Sequence, residues 1–199
     1  DVQGTTIPNT NKLKTFKSKK IIKSNLKKSE LIKISKMIEK SKRPVFWFGN
    51  GIKLSKSKKI VEKILKKYPF PSFVSWAAID LLKSKHHLNY GRPGVYGNRA
   101  SNLILQNADL VISVGTRMSI PMIGYVHNEF ARKAKIIQVD IDKTEINKFK
   151  KKINLAINND ANIFLKNILG NIKNKINKKS LNHWLHYCKK TLKKYPHIE

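Results

Sequence analysis

Acidic residues are scarce in this chain: 12 Asp and Glu stand against 42 Lys and Arg in 199 residues, a formal net charge of +30. Such an excess points first to nucleic acid or acidic lipid. The lysines, however, run along nearly the whole sequence and both tails, with no aromatic stacking motif interleaved, so no single binding stripe is written there. They keep company with many Asn and Ile residues, whose codons share A/T richness, and a biased genome is the plainer source of the charge. Cysteine occurs once, at Cys188, which excludes a disulfide framework within the chain and fits a reducing, cytoplasmic setting. No run of about 18 apolar residues exists, so no membrane span is expected. The opening Asp1-Val2-Gln3-Gly4 lacks both an initiating Met and a signal pattern, and reads as a cut inside a longer polypeptide. Arginine is scarce too, and here scarcity informs. Of Arg43, Arg92, Arg99, Arg117 and Arg132, three (Arg92, Arg99 and Arg117) lie close to glycines, where a planar fork suits phosphate or carboxylate.

What is present is a set of short apolar runs that stop at glycine or acid. Leu110 to Val114 ends in Gly115-Thr116-Arg117, Val45 to Phe48 ends in Gly49-Asn50-Gly51, and Ile136 to Val139 ends in Asp140-Ile141-Asp142. Runs of this length and β-branched content, closed by such residues, are how buried parallel strands end beneath a ligand crevice. Ser72 to Ser75 and Leu155 to Ile157 complete an open parallel α/β sheet of about five to six strands, Rossmann-like, with helices on both faces.

Residues 1–28, with Pro8 and a lysine cluster, read as a linker from a preceding domain; 29–172 hold the α/β domain; 173–199 form a polar linker and a C-terminal connector helix. Helices are expected from Ser29 to about Lys42 (apolar face Leu31, Ile32, Ile34, Ile38), Ser55 to Lys67 (Ile60, Ile64 and Leu65 inward, Val61 at the edge), Ala100 to Asn107, Lys143 to Phe149, after Asp160, and from Leu181 to about Leu192. Trp76 to Leu82 and Asn128 to Lys133 read as short helical pieces, and Met118 to Tyr125 as irregular. The last helix carries Leu181, Trp184, Leu185, Cys188 and Leu192 at helical spacing, a stripe that needs something to cover it.

The candidate binding residues sit at the strand ends and in one further loop. Gly49 and Gly51 make a tight turn, but Leu54 stands where a dinucleotide fingerprint needs its third glycine. Tyr90 to Arg99 brings Gly91, Arg92, Gly94 and Gly97 together and leads into a helix N-terminus. Backbone N–H groups and charge could there meet an anion, and a connecting loop is the plain alternative. Paired with Gly115, Thr116 and Arg117, that loop would bracket one cleft. Asp140 is placed to accept from ribose hydroxyls, and Asp142 to cap the following helix. His86-His87 reads as a solvated loop, and His183, His186 and Cys188 as parts of a helix rather than a metal set.

The stretches Arg43-Pro44-Val45 through Gly51, Gly91-Arg92-Pro93-Gly94 through Gly97, Gln106 to Arg117, and Val139 to Asp142 together resemble the central domain of the thiamine diphosphate-dependent enzymes, acetolactate synthase large subunit-like group. Trp184-Leu185 through Cys188 and Lys194-Tyr195-Pro196 look like the connector found in the branch that accompanies polysaccharide biosynthesis genes. The resemblance implies a sheet related to the sirtuin and deoxyhypusine synthase type. It implies a parent lyase or transferase acting on 2-keto acids such as pyruvate, whose thiamine diphosphate and Mg²⁺ are bound by flanking pyrimidine- and diphosphate-binding domains of the same chain. The parent would be a homodimer or homotetramer, without specific nucleic acid or membrane partners, and this part alone inactive. No catalytic residue or metal ligand falls to this domain. FAD, or its ADP part, would lie along Gly49 and Gly51, Gly91 to Gly97, Gly115 to Arg117 and Asp140 to Asp142; other members use the domain as a scaffold. Met118-Ser119-Ile120 and Ser75-Trp76 to Ala78 depart from the flavin-bearing synthases. Two rivals remain at this point: a stand-alone NAD- or nucleotide-binding domain of the deacylase type, and a basic nucleic-acid-binding module.

Overall fold

A computed structural model describes residues 24–148, 153–173 and 175–197. Five strands form one parallel sheet: β1 (Pro44–Phe48), β2 (Ser72–Val74), β3 (Leu110–Val114), β4 (Lys135–Asp140) and β5 (Leu155–Asn158), in the order β2-β1-β3-β4-β5. Every residue of β1 and β3 is buried. Covered on both faces, such strands need near-continuous apolar runs rather than alternation, which is what Pro-Val-Phe-Trp-Phe and Leu-Val-Ile-Ser-Val supply, the one polar side chain, Ser113, being satisfied by Thr116. Phe46 stacks on Phe48 and on Phe70, each at 5.2 Å, while Trp47 meets Phe73 and Phe130 at 6.5 and 6.0 Å.

The helices are α1 (Lys28–Lys40), α2 (Gly51–Leu54), α3 (Lys58–Lys67), α4 (Arg99–Asn107), α5 (Ile120–Ile123), α6 (Lys143–Asn147), α7 (Ala161–Asn171) and α8 (Lys178–Lys194). The chain passes from β1 outward to β2 through α3, then back across β1 to β3 through α4. Right-handed crossovers in opposite directions put α3 and α4 on opposite faces. Accordingly α3 and α1 pack with α7, and α4 packs with α8.

Several expectations are corrected. The helix expected over 55–67 begins only at Lys58, and a separate short helix, α2, precedes it over 51–54; between them Lys56 turns left-handed (φ 55°) and Ser57 is drawn fully inside. Val61 rather than Ile60 joins Ile64 and Leu65 in the core, and Ile32 is exposed. Met118 to Tyr125 contains α5, opened by Pro121 in its first turn and closed by Gly124 at φ 79°. The pieces expected at 76–82 and 128–133 shrink to 3-10 turns, Trp76–Ala78 and His127–Glu129.

Residues 24–27, read as linker, are tied down. Leu26 is buried, Asn159 Nδ2 donates to the Ser24 carbonyl at 2.9 Å, and Asn167 Nδ2 donates to Asn25 Oδ1 at 3.3 Å. Residues 1–23 of that linker and the end of the helix expected to reach Phe149 lie outside the described residues. The polar stretch before α8 also contributes to the core, through Ile172 and Ile176. The stripe on α8 is covered by the domain itself: Leu181, Trp184 and Cys188 are buried, and Trp184 Nε1 donates to the Pro44 carbonyl at 3.0 Å.

Candidate functional site

The strand order reverses between β1 and β3, so the chain leaves their carboxyl ends in opposite directions, and a crevice lies at that edge, as at other switch points of open parallel sheets. It measures about 460 Å³ and is lined from the loops after β1, β3, β4 and β5: Asn50, Gly51, Leu54 and Ser55; Gly115 and Arg117; Asp140 and Ile141; Asn159 and Asp160.

The glycines at its floor are fixed by each other. A Cβ on Gly49 would stand 2.0 Å from the Gly115 carbonyl oxygen, and one on Gly115 2.7 Å from the Gly51 Cα. Gly49 N donates to the Val114 carbonyl, Gly51 N to Gly115 and Gly115 N to Val139. These three amides are engaged between neighbouring strands and loops, so the glycines shape the crevice without offering their own N–H groups to it. Thr116 is buried beneath, its hydroxyl 2.5 Å from that of Ser113.

Arg117 and Met118 both adopt left-handed backbone (φ 60° and 47°), a conformation costly for side-chain-bearing residues. The turn directs the Arg117 guanidinium onto Glu145 at the crevice rim. Nε and Nη2 donate to Glu145 Oε1 at 3.2 and 3.0 Å, and Lys148 Nζ donates to Oε2 at 2.7 Å. Burial pushes the Glu145 carboxyl up, but the hydrogen bonds from Lys148 and Arg117 and their charges outweigh it and hold it below its ordinary value. Its stabilising contribution is therefore present above the unfolded pKa and is lost as pH falls through the folded one.

Asp140 shifts the other way. Burial raises its carboxyl, the backbone N–H groups of Asp142 and Arg117 only partly offset this, and the nearby negative charges of Glu145 and Asp142 add to the rise. Its Oδ1 accepts from Asp142 N at 3.0 Å. A carboxylate raised in the fold costs stability wherever it is ionised, and the cost disappears below the unfolded value of about 3.9. Asp140→Asn is expected to raise the melting temperature at pH 7, with a gain that shrinks toward pH 4; thermal melts across that range check it, and an equal or lower melting temperature at pH 7 would refute it. Asp142 accepts from Thr144 N and Oγ1, at 2.8 and 2.7 Å, as the cap of α6, and is held below the usual carboxylate range chiefly by the Thr144 hydroxyl. Asn159 adds a further acceptor. Its Nδ2 is engaged, whereas its Oδ1 is buried with no partner among the described residues.

The loop at 91–97 does not line this crevice. Its amides close on themselves: Gly91 N on Asn89 Oδ1, Arg92 N on Asn98 Oδ1, Gly94 N on Asn102 Oδ1 and Gly97 N on the Gly94 carbonyl. Arg92 lies over the Trp76 ring at 4.7 Å and Arg99 over Tyr195 at 4.5 Å. Thus Gly51, Gly115, Arg117 and Asp140 come together in the crevice, Gly49 and Thr116 support it, Asp142 is a helix cap, and Gly91, Arg92, Gly94 and Gly97 form a separate, self-satisfied turn. The sequence reading missed Glu145 and Asn159. Glu145 had one signal, an acid five residues after Asp140 in the first turn of a capped helix. The His86 and His87 rings stack at 4.8 Å, and burial, then the neighbouring His87, lowers the His86 pKa. Among the described residues, no three His, Cys, Asp or Glu gather as a metal set.

With this geometry in place, comparison with known proteins is specific. Residues 31–168 match the family model described as thiamine pyrophosphate enzyme, central domain. The chain is 31% identical to an acetolactate synthase large subunit of Cyanidium caldarium over 84% of its own length and 29% of that protein's. It is 38% identical to the acetolactate synthase isozyme 1 large subunit of Escherichia coli K12 over 57% of this chain and 20% of the relative. It is 31% identical to a probable acetolactate synthase large subunit of Methanococcus aeolicus over 76% and 25%. The chain therefore spans less than a third of the length of these curated relatives. With more than half its residues inside the model, it belongs to the family of thiamine pyrophosphate enzyme central domains.

Proposed function

We propose that this chain is the central domain of a thiamine diphosphate-dependent enzyme of the acetolactate synthase kind, acting on 2-keto acids such as pyruvate. The observation that carries the reading is the family match across 31–168, on a sheet with a crevice at its switch point. In this reading thiamine diphosphate and Mg²⁺ are held by pyrimidine- and diphosphate-binding domains on either side. Residues 1–28 lead from the first and 173–199 toward the second, in a cytoplasmic homodimer or homotetramer. The cofactor supplies the electron sink for decarboxylation when bound. This chain contributes architecture, and none of its residues is assigned to the chemistry. The connector motif at 184–196 supports the finer placement in the polysaccharide-associated branch.

The crevice is proposed as the seat of an ADP-like group, that of FAD or a free nucleotide. Its residues fit the ribose end. Asn159 Oδ1 is a buried acceptor without a partner among the described residues, Asp140 is a buried carboxylate beside it in the lining, and ribose hydroxyls are donors. Arg117 supplies positive charge at the rim, provided an anion competes with Glu145 for it. Gly91, Arg92, Gly94 and Gly97, which do not line the crevice, have no part in this seat.

Calorimetric titration of FAD and of ADP into the protein tests the pocket. Saturable micromolar binding, weakened about tenfold or more in Arg117→Ala and in Asn159→Ala, is the expected result. No binding of either nucleotide removes the flavin part of the proposal and leaves a scaffold. The catalytic part is tested by pyruvate consumption by the complete polypeptide with and without thiamine diphosphate and Mg²⁺.

A further inference from the structure

At the opposite edge of the sheet from the crevice, where the chain enters the strands, lies a second groove of about 530 Å³. Lys42 and Arg43 come to it from the start of β1, Asn107 from the end of α4, Lys133 from the approach to β4, and His183 and Tyr187 from α8. No acid among the described residues lines it. The Asp109 carboxylate is turned to the backbone instead: it accepts from Lys42 N and Arg43 N at 2.9 and 3.0 Å, and from the Ser41 hydroxyl. Those bonds fix residues 41–43, and Arg43 Nε donates to the Asn107 carbonyl at 2.6 Å, so the guanidinium is held in place. No ion pair among the described residues engages Lys42, Arg43 or Lys133. One ring completes the lining. Tyr187 stacks on the buried Trp184 at 5.4 Å and 10°, yet is itself 39% exposed.

The geometry points to this groove as a binding site for a nucleoside monophosphate, with the phosphate among Lys42, Arg43 and Lys133 and the base on Tyr187. Three cations that share one groove without a carboxylate suit a dianion. Arginine is the sparing choice in a chain whose 42 basic residues include only five, and with Nε given to a carbonyl the two Nη groups remain for an oxyanion. A tyrosine backed by a second ring is a stiff, flat platform on which any base can stack. A nucleic-acid strand would need a succession of such platforms, and the groove offers one. The inference is independent of the thiamine reading and of the nucleotide proposed for the crevice.

Calorimetric titration of AMP and of inorganic phosphate tests it, in the 199-residue chain carrying Arg117→Ala with Asn159→Ala so that the crevice is disabled. The expected result is one saturable AMP site, about tenfold or more tighter than inorganic phosphate because stacking adds to charge. Lys42→Ala with Lys133→Ala should weaken AMP about tenfold or more. Lys59→Ala with Lys63→Ala, which removes equal charge from exposed positions on α3, should leave it nearly unchanged. Tyr187→Ala should bring AMP down to the affinity of phosphate, and Tyr187→Phe should keep it; unchanged thermal melts show that the variants are folded. Absence of saturable AMP binding overturns the inference. So does an equal loss in the α3 variant, which would mean attraction by net charge alone, or AMP binding that Tyr187→Ala leaves intact. The same titration on the complete polypeptide closes the test: AMP retained there supports the site, and AMP lost there gives the groove to a neighbouring domain and overturns it.

Discussion

Gly49→Ala is expected to destabilise the domain by about 3 kcal/mol or more, lowering its melting temperature by about 10 °C. The reason is local and geometric. An added Cβ would fall 2.0 Å from the Gly115 carbonyl oxygen and 2.4 Å from the Thr116 Cα, both backbone atoms of the neighbouring strand's exit loop. Neither can yield like the end of a flexible side chain, so the two loops must separate. Doing so strains the bonds from Gly49 N to Val114 and from Gly51 N to Gly115. Gly170, in the last turn of α7, has open space around its Cβ position and serves as the control. Alanine there should stabilise by about 0.5–1 kcal/mol. Thermal melts of the two variants check the pair, and a Gly49→Ala protein with an unchanged melting temperature would contradict the described contact between the β1 and β3 loops.

Trp184→Ala carries the second large expected effect, a loss of about 3–5 kcal/mol. The side chain is 2% exposed, its ring stacks on Tyr187 at 5.4 Å and 10°, and its Nε1 donates to the carbonyl of Pro44 at the start of β1. Removing it leaves a cavity between α8 and the start of β1 and takes away the hydrogen bond to that carbonyl. Trp184→Phe keeps the six-membered ring but loses the hydrogen bond and the rest of the indole, and should cost less than the alanine, about 1–3 kcal/mol. Denaturant unfolding of both variants checks that order. A loss under about 1 kcal/mol for Trp184→Ala would mean that α8 does not dock as described, whatever else it connects to.

The strands were legible because their burial on both faces leaves a plain signature. Val45 to Phe48, Leu110 to Val114 and Ile136 to Val139 are apolar runs interrupted only by Ser113 and Gln138, and each differs from the observed strand by at most a residue at either end. Caps were legible for the same kind of reason: Asp142 and Asp160 precede helices and accept from their first-turn amides. The break at Lys56 was not legible, since it depends on where Ser57 is drawn by the fold. Nor was the separation of the 91–97 turn from the crevice. Its glycines looked open to an anion, but Asn89, Asn98 and Asn102 consume the amides, and whether an Asn folds back on a nearby loop is a tertiary fact. The stripe on α8 was visible as a pattern; that α4 and the start of β1 cover it was not.

The length of the native polypeptide, with the coding sequence on both sides of Asp1 and Glu199, tests the central claim most directly. The account predicts a polypeptide several times longer than this chain. It should carry an upstream domain with the glutamate that activates the cofactor and a downstream domain with a Gly-Asp-Gly metal signature. A native polypeptide of 199 residues, beginning at Asp1 and ending at Glu199, would contradict it.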